Sequence, residues 1–225
     1  MRPSLIDPFK FVTQSISVVS TANYNNQNGA SIAFPTGSQD GDVLILSDFA
    51  VNTGSSSLPS STTPDCFSGA MSLLDSDSGT PAGAAGFRVR HYYKVLNDSD
   101  VANPTVSDLM GSNAERQALI LVRPAKAITS VASFATNIGF SDSDPSSQTV
   151  TISGQTSPML VVGMYSSSGS IGTRSFTPAA DAEISFASTA HYVKYKVYNS
   201  GHANTTIDMV DEGTRNVLYI DAITF

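Results

Sequence analysis

Two segments of the chain alternate between apolar and polar side chains with a period of two residues. They are residues 87–96 (FRVRHYYKVL) and residues 191–198 (HYVKYKVY). Successive side chains of a β-strand point to opposite faces, so the pattern predicts two strands that each have one buried and one water-facing side. The predicted inward positions are Phe87, Val89, His91, Tyr93 and Val95 in the first segment and Val193, Tyr195 and Val197 in the second.

More strands are predicted on both sides of these two, from apolar and β-branched runs separated by Gly, Pro, Asn and Asp turns. They are residues 15–20, 30–34, 42–51, 67–74, 105–107 and 116–122 in the first half and 128–134, 148–153, 158–165, 183–187, 205–209 and 216–225 in the second. The continuous runs VLIL (43–46) and LILV (119–122) predict central strands with both faces covered. Because no long segment has helical periodicity, we expect an all-β fold of antiparallel β-sandwich, jelly-roll or immunoglobulin-like type.

The second half of the chain repeats the order of the first. The alignment matches Tyr93 with Tyr195, Leu119 with Leu218 and Ile45 with Val161. We therefore predict a short N-terminal arm (residues 1–13) and two tandem sandwich units (14–126 and 127–225) related by internal duplication. The alternative is one sandwich in which the two halves share sheets.

Composition excludes several classes of function. The chain has 225 residues, a net charge of −7 and no cluster of Lys and Arg, so binding to nucleic acid is not expected. No run approaches the roughly 18 apolar residues that span a bilayer, so no membrane association is expected. The N-terminus has two prolines and no continuous apolar core, which predicts that it is not a signal peptide and that the chain is made in a cytoplasm. The single cysteine, Cys66, cannot form an intrachain disulfide.

The N-terminal arm combines Pro3 and Pro8 with four large apolar residues. The prolines prevent a regular helix or a central strand. Burial of each apolar side chain would stabilise a contact by about 1.5–3 kcal/mol. The arm is therefore expected either to fold back over its own sandwich or to dock on a neighbouring subunit. The apolar residues are Leu5, Ile6, Phe9 and Phe11.

No residue pattern indicates catalysis, a cofactor or a metal. His91 lies on an inward position, so it is interpreted as a core or interface histidine, and Cys66 as a small, partly buried residue. The chain has no G-x-S-x-G elbow and no phosphate-binding loop. Three acidic segments, which begin at Asp75, Asn97 and Asp142, have oxygen ligands at spacings that suit calcium, but they are better interpreted as turns in which Asp caps the backbone.

A basic and aromatic stripe lies on the predicted outward face of the two alternating segments. On an acidic protein such a stripe suits a partner's acidic surface or a glycan. The alternative is pairing of these cations with Asp and Glu on neighbouring strands. The stripe comprises Arg88, Arg90, Tyr92 and Lys94 in the first half and Lys194, Lys196 and Tyr198 in the second.

Three segments of the first half resemble the β-sandwich virion proteins of tailed bacteriophages. They are Gly-Asp-Val-Leu-Ile (41–45), Tyr-Lys-Val-Leu-Asn-Asp (93–98) and the strand that ends in Arg123-Pro124. The resemblance covers residues from about 15 to 225. In the second half Ser157-Pro158 stands where Gly-Asp would be, and Asp221-Ala222 where Arg-Pro would be.

The resemblance implies a non-enzymatic structural protein on the surface of a virus particle. One role that fits is a capsid decoration, or cement, protein that binds the major capsid protein and assembles as a homo-oligomer, with a trimer favoured. The other is a tail, baseplate or fibre protein that binds a host-surface glycan or receptor. Because no coiled-coil or collagen-like stalk is visible in the sequence, decoration is the favoured expectation.

Overall fold

The computed structural model describes most of the chain from residue 14 onwards. The described residues are 14–25, 30–52, 57–60, 62–80, 86–107, 109, 114–128, 130–141, 146–167, 172–186, 191–199, 205–212 and 216–225. The whole predicted arm, with Leu5, Ile6, Phe9 and Phe11, lies outside them. Strands take up 66% of the described residues and helix 3%, in several antiparallel sheets, so the predicted all-β class is confirmed.

Each half of the chain contributes its own set of strands. The first half contains β1 (Ile16–Asn25), β2 (Ile32–Ala33), β3 (Val43–Asn52), β4 (Asp65–Cys66), β5 (Gly69–Ala70), β6 (Ser72–Gly79), β7 (Gly86–Val95), the short helix α1 (Asp98–Ala102), β8 (Thr105–Val106) and β9 (Ala114–Pro124). The second half contains β10 (Ala132–Ser141), β11 (Ser146–Ile152), β12 (Met159–Ser167), β13 (Arg174–Thr177), β14 (Ala182–Ser185), β15 (His191–Tyr198), β16 (Thr205–Asp211) and β17 (Asn216–Thr224).

The two halves form two large sheets with matching strand orders. The order is β1-β9-β3-β7-β6 in the first sheet and β10-β17-β12-β15-β14 in the second. The edge strands β1 and β10 also share an irregularity, because the register shifts between Val18 and Ser20 in one and between Ser133 and Ala135 in the other. Every sheet among the described residues takes its strands from one half only.

Strand register determines which residues of the two sheets correspond. Ile45 lies between Tyr93 and Ile120 in the first sheet. Val162 lies between Tyr195 and Asp221 in the second sheet, in the same arrangement. Ile45 therefore corresponds to Val162, and the sequence alignment of Ile45 with Val161 was wrong by one residue.

A second correction applies to strand β9, where Leu119 corresponds to Ile220, two residues beyond Leu218. Such slips are easily made in continuous apolar runs, where both faces of the strand carry similar side chains. The slip of one residue at Ile45 moves a residue to the other face of the sheet, since side chains alternate, whereas the slip of two residues in β9 keeps the same face. The alignment of Tyr93 with Tyr195 agrees with the register.

A central hydrophobic core lies between the two large sheets. It contains residues from one face of each sheet, so the two halves pack against each other through these inner faces. Inner-face residues of the first sheet include Val43, Ile45, Phe49, Val89 and Ile120, and those of the second include Leu160, Val162, Met164, Val193 and Ile223.

Contacts between the halves are reciprocal at the level of whole strands. Strand β1 of the first half contacts β14 of the second, and β10 of the second half contacts β6 of the first. Because β1 corresponds to β10 and β6 to β14, these are the same contact made twice. The two sheets are thus related by an approximate two-fold arrangement, as the subunits of a symmetric dimer are.

Each large sheet has a second core on its outer face. In the first half this core is covered by the small ladders β2-β8 and β4-β5, and it contains Leu44, Leu46, Leu119 and Leu121. In the second half it is covered by the three-stranded sheet β11-β16-β13. The runs Val43–Leu46 and Leu119–Val122 are buried throughout, so the prediction that these strands are covered on both faces is confirmed.

Two predicted loops have regular structure. Residues 75–79, expected in a loop, continue strand β6 and pair with β7. The Asn97-Asp98 turn opens α1, where the Asn97 side chain accepts hydrogen bonds from the N–H groups of Ser99 and Asp100. The Asp100 carboxylate accepts in return from the N–H of Asn97 at 3.3 Å, which completes a capping box.

Candidate functional site

The predicted outward stripe of β7 is largely buried. Arg90 is 2% exposed and Tyr92 is 4% exposed. The Arg90 guanidinium lies 2.8 Å from the Asp48 carboxylate and 5.0 Å from the centre of the Tyr92 ring, and it donates a hydrogen bond to the carbonyl of Thr62. The expectation of a water-facing stripe was wrong at these two positions, because the segment around Thr62 and the small ladders cover this face.

The ends of the stripe are more accessible. Lys94 Nζ donates a hydrogen bond to the Gly69 carbonyl at 3.0 Å. Arg88 lines a cleft of about 320 Å³ beside strand β6. The other residues that line this cleft are Leu73, Ser76, Asp77, Ser78, Arg90 and Tyr92. An interface role for Arg88 and Lys94 therefore stays a prediction.

The corresponding cations of the second half are paired with carboxylates. Lys194 Nζ lies 3.4 Å from Glu183 on the neighbouring strand β14. Lys196 Nζ lies 3.1 Å from Asp181, donates to the Ala179 carbonyl at 2.8 Å and lies 5.8 Å from the ring of Tyr198. These contacts match the alternative interpretation, in which the cations pair with neighbouring strands.

Two adjoining clefts of about 210 and 410 Å³ lie on the outer face of the second half, and they share Arg174, Glu183 and Lys194. Arg174 forms an ion pair with Asp211 at 2.9 Å, and its guanidinium lies 4.6 Å from the centre of the Tyr192 ring. Each half thus presents a cleft whose lining combines arginine, tyrosine and a carboxylate. Arg174 and Lys194 in the second-half clefts already have carboxylate partners, so these two clefts suit neutral polar ligands better than strongly acidic ones.

A serine, a histidine and an aspartate meet at the centre of the molecule. Ser47 Oγ lies 2.9 Å from His91 Nε2, and His91 Nδ1 lies 3.1 Å from Asp221 Oδ2. This is the order of contacts found in the triad of serine hydrolases. All three side chains are buried in the core between the sheets. A nucleophile must reach the carbonyl that it attacks, so this arrangement is not a hydrolytic site in the folded protein.

The Asp221 carboxyl group has hydrogen-bond partners on two residues. An ionised carboxylate only accepts, so His91 Nδ1 is the donor to an ionised Asp221. Ser133 Oγ donates to the other carboxylate oxygen, Oδ1, at 2.7 Å. Because Ser47 and His91 come from the first half and Asp221 and Ser133 from the second, the network ties the halves together.

Tyr219 extends the network to the edge of the first sheet. Its ring makes an edge-on contact with His91, with ring centres 4.7 Å apart. Its hydroxyl donates to the Asp75 carboxylate at 2.8 Å. Burial raises the pKa of Tyr219 well above its ordinary value, and the nearby Asp221 and Asp75 add to this effect, so the hydroxyl keeps its proton.

The acidic segments proposed as turns have other roles where the structure describes them. Asp75 and Asp77 lie in strand β6. Asp100 is buried and accepts hydrogen bonds from Ser68 N and Oγ at 2.8 and 2.7 Å. The segment that begins at Asp142 lies outside the described residues. Within the described part of the chain, no group of three His, Cys, Asp or Glu side chains could hold a metal ion.

The remaining predicted residues are buried or undescribed. Cys66 is a free, buried thiol whose pKa burial raises to about 12, with the Asp100 carboxylate adding to the shift. His191 packs on Phe49 across the central core with ring centres 5.5 Å apart. Burial, followed by the nearby Arg116 and Arg174, lowers the pKa of His191 to about 3. His202 lies outside the described residues.

The Ser47–His91–Asp221 network was not predicted as a set. Ser47 and Asp221 each interrupt an apolar run, since Ser47 follows VLIL and Asp221 lies between Ile220 and Ala222, and His91 occupies an inward position of an alternating segment. Polar residues at inward positions of predicted central strands were the available signal. The sequence alone could not pair them, because they come from three strands in two halves.

No protein-family model, curated protein or solved structure matches the chain. In the part that the structure describes, helices long and apolar enough for a membrane span are absent. The fold and its contacts therefore define the class at the level of an all-β protein with stacked antiparallel sheets.

Proposed function

We propose that this chain is a non-enzymatic structural protein of a bacteriophage virion, which decorates the outer surface of the capsid and stabilises the shell. The main support is that the three segments that resemble phage virion proteins come together at one corner of the first half. Asp42 of the first segment forms a bidentate ion pair with Arg123 of the third. Arg123 Nε donates to Asp42 Oδ1 at 2.8 Å, and Arg123 Nη2 donates to Asp42 Oδ2 at 2.7 Å.

The second segment joins the same corner through the backbone. The Leu96 N–H donates to the Asp42 carbonyl at 2.8 Å, and the Gly41 N–H donates to the Leu96 carbonyl at 2.9 Å. Gly41 has a φ of +81°, a conformation that favours glycine. The motif residues thus act as a unit that closes the ends of β3, β7 and β9, which explains why they occur together.

We also propose that the two halves are tandem β-sandwich units that arose by duplication. The matching strand orders, the shared irregularity in β1 and β10 and the reciprocal contacts support this. Chance convergence would not be expected to place a bulge at the same point of two edge strands. Each unit then consists of a large sheet and its outer cover.

The surface of the first half supports contact with other virion proteins. Phe67, in the turn between β4 and β5, is 65% exposed, and Leu73 on β6 is 51% exposed. Exposed large apolar side chains are available for contact with a partner protein. In this proposal they act with the arm residues Leu5, Ile6, Phe9 and Phe11 to bind the major capsid protein, with the decoration protein assembled as trimers.

The test is the copy number of the protein relative to the major shell protein in purified virions, measured by quantitative mass spectrometry. A lattice-wide decoration protein gives about one copy per shell subunit, or about one copy for every three subunits. A far smaller ratio contradicts decoration and favours a tail location. Absence from virions overturns both roles.

Deletion of residues 1–11 tests the arm separately. The truncated protein is expected to bind shells more weakly than the full chain. Far-ultraviolet circular dichroism provides the control for folding. Binding at full strength would contradict the role of the arm.

A tail, baseplate or fibre protein that binds a host glycan is the second candidate. The observation that favours it is the pair of outer clefts in which arginine and tyrosine lie beside carboxylates, since saccharides bind through aromatic faces and polar groups. Binding of the isolated protein to a glycan array or to whole host cells, lost on Tyr192→Ala, would support this role over decoration.

A further inference from the structure

The central network joins residues that differ between the two halves. In the first sheet Ser47 of the central strand β3 pairs with His91 of β7, and in the second sheet Met164 of the central strand β12 pairs with Val193 of β15. By register, Ser47 of the first half therefore corresponds to Met164 of the second. His91 therefore corresponds to Val193. Asp221 of the second half corresponds to Ile120 of the first.

This distribution makes the inner faces complementary instead of identical. The first half supplies Ser47 and His91, and the second half supplies Asp221. At the corresponding positions the partner half has only apolar side chains, namely Met164, Val193 and Ile120. The two-fold arrangement therefore has two equivalent positions. One holds the polar contact between His91 and Asp221, and the other has the apolar residues Val193 and Ile120.

Pairing of like halves would break this complementarity. Two first halves packed in the same arrangement would place His91 against Ile120 of the other copy. Two second halves would place the buried Asp221 carboxylate against Val193, without the histidine. In either case a buried polar group of the network loses its partner in the other half, which is unfavourable, although Asp221 keeps the hydrogen bond from Ser133 of its own half.

We infer that the Ser47–His91–Asp221 network is a pairing determinant, which makes the inner face of each half bind the unlike half and reject the like half of a second copy of this chain. The apolar residues of the inner faces supply affinity. The network supplies a contact that only unlike halves can complete, as paired polar groups do in other selective interfaces. This inference depends on the proposed correspondence of the two halves and not on where the protein acts.

The test uses the full chain and replaces each polar residue by its counterpart. Wild type and the His91→Val/Asp221→Ile variant are refolded from denaturant over a series of protein concentrations. Their mass distributions are measured by size exclusion with light scattering. Because the variant can no longer discriminate between like and unlike halves, it is expected to form at least about tenfold more intermolecular species than wild type at the same concentration.

The matched control is Asp48→Leu/Arg90→Leu. It also removes a buried ion pair, with its two atoms 2.8 Å apart, but this pair lies within the first half. The control is expected to give the mass distribution of wild type. If the two double variants behave alike, or if His91→Val/Asp221→Ile matches wild type, the inference is wrong.

A second measurement tests complementation between the two single variants. His91→Val and Asp221→Ile single variants, one of them labelled with a heavy isotope, are refolded together and examined by native mass spectrometry. A dimer that exchanges halves between the two variants regains one complete network, at the junction of the intact His91 with the intact Asp221. Mixed dimers are therefore expected well above the proportion for random association, and random proportions would overturn the inference.

The outcome separates this inference from the proposed function. Refolding in solution involves no shell or host component, so selective pairing can be found in a protein that proves to belong to the tail. Equally, a decoration protein could lack selective pairing, which the copy number in virions would not reveal.

Discussion

Both halves bury an ion pair on the outer side of their large sheet, but they do so with different residues. In the first half the buried ion pair lies within the large sheet, between Asp48 of β3 and Arg90 of β7. At the corresponding positions the second half has Tyr165 and Tyr192. Its ion pair lies instead in the covering sheet, between Arg174 of β13 and Asp211 of β16.

The arginine in each half contacts a tyrosine of the large sheet. Arg90 lies over Tyr92, and Arg174 lies over Tyr192. The hydroxyl of Tyr165 also bonds to the cover, since it donates to the Ser175 carbonyl at 2.5 Å. The strand order of the large sheet is the same in the two halves while the covers differ, because a cover needs only to bury the outer face and to pair its charges.

The largest expected effect comes from breaking either outer ion pair. Arg90→Met leaves Asp48, and Arg174→Met leaves Asp211, as a buried carboxylate that has lost its cation. Each variant is expected to lower the free energy of unfolding by about 3–5 kcal/mol. Urea denaturation followed by circular dichroism measures this loss.

The Arg174→Met result decides how far the comparison holds. Equal losses for the two variants mean that the ion pair has the same importance in the sheet and in the cover. A loss below about 1 kcal/mol for Arg174→Met alone would mean that the cover of the second half is marginal. Lys196→Met, which removes a partly exposed ion pair, is the control and is expected to cost about 0–1 kcal/mol.

A smaller effect is expected from His191, which lies at the inner face of the second half. Its pKa is about 3 in the folded protein, whereas the ordinary value for histidine, which applies to the unfolded chain, is 6.5. As pH falls between these values, the unfolded chain takes up the proton and the folded chain does not, so stability decreases. His191→Gln is expected to reduce this pH dependence by at most about 1.4 kcal/mol per pH unit. An unchanged slope between pH 6.5 and pH 4 would contradict the assigned environment.

The smallest effect concerns Cys66 under the cover of the first half. Burial and a pKa of about 12 leave almost no thiolate at pH 8, so reaction of the native protein with a thiol reagent is expected to be slow. In denaturant the reaction should become fast. Rapid labelling of the native protein would show that the cover of the first half opens readily. The outer cover would then be less stable locally than the core between the two large sheets.

Much of the fold could be predicted from the pattern of apolar residues. Runs such as Val43–Leu46 identified central strands, and the order of strands in the two halves was recovered. The stripe on β7 was misread because the alternation predicts only that its two faces differ. Arg90 is long enough to reach Asp48 and Thr62 from a covered face, and the sequence does not show the cover.

The central network could not be assembled from the sequence for a related reason. His91 was recognised as a core residue, but its partners depend on how two sheets from different halves pack. Periodicity assigns a residue to a face, and register assigns its neighbours within the sheet. Contacts across the face, such as the one between His91 and Asp221, arise only from packing.

The most direct test of this account is a double-mutant cycle between His91 and Asp221, from the free energies of unfolding of wild type, His91→Val, Asp221→Ile and the double variant. If the halves are held together by a shared buried network, each single variant is strongly destabilised and the double variant recovers much of the loss. We predict a coupling free energy of about 2–3 kcal/mol. A coupling within about 0.5 kcal/mol of zero would contradict the account, because the two residues would then contribute independently.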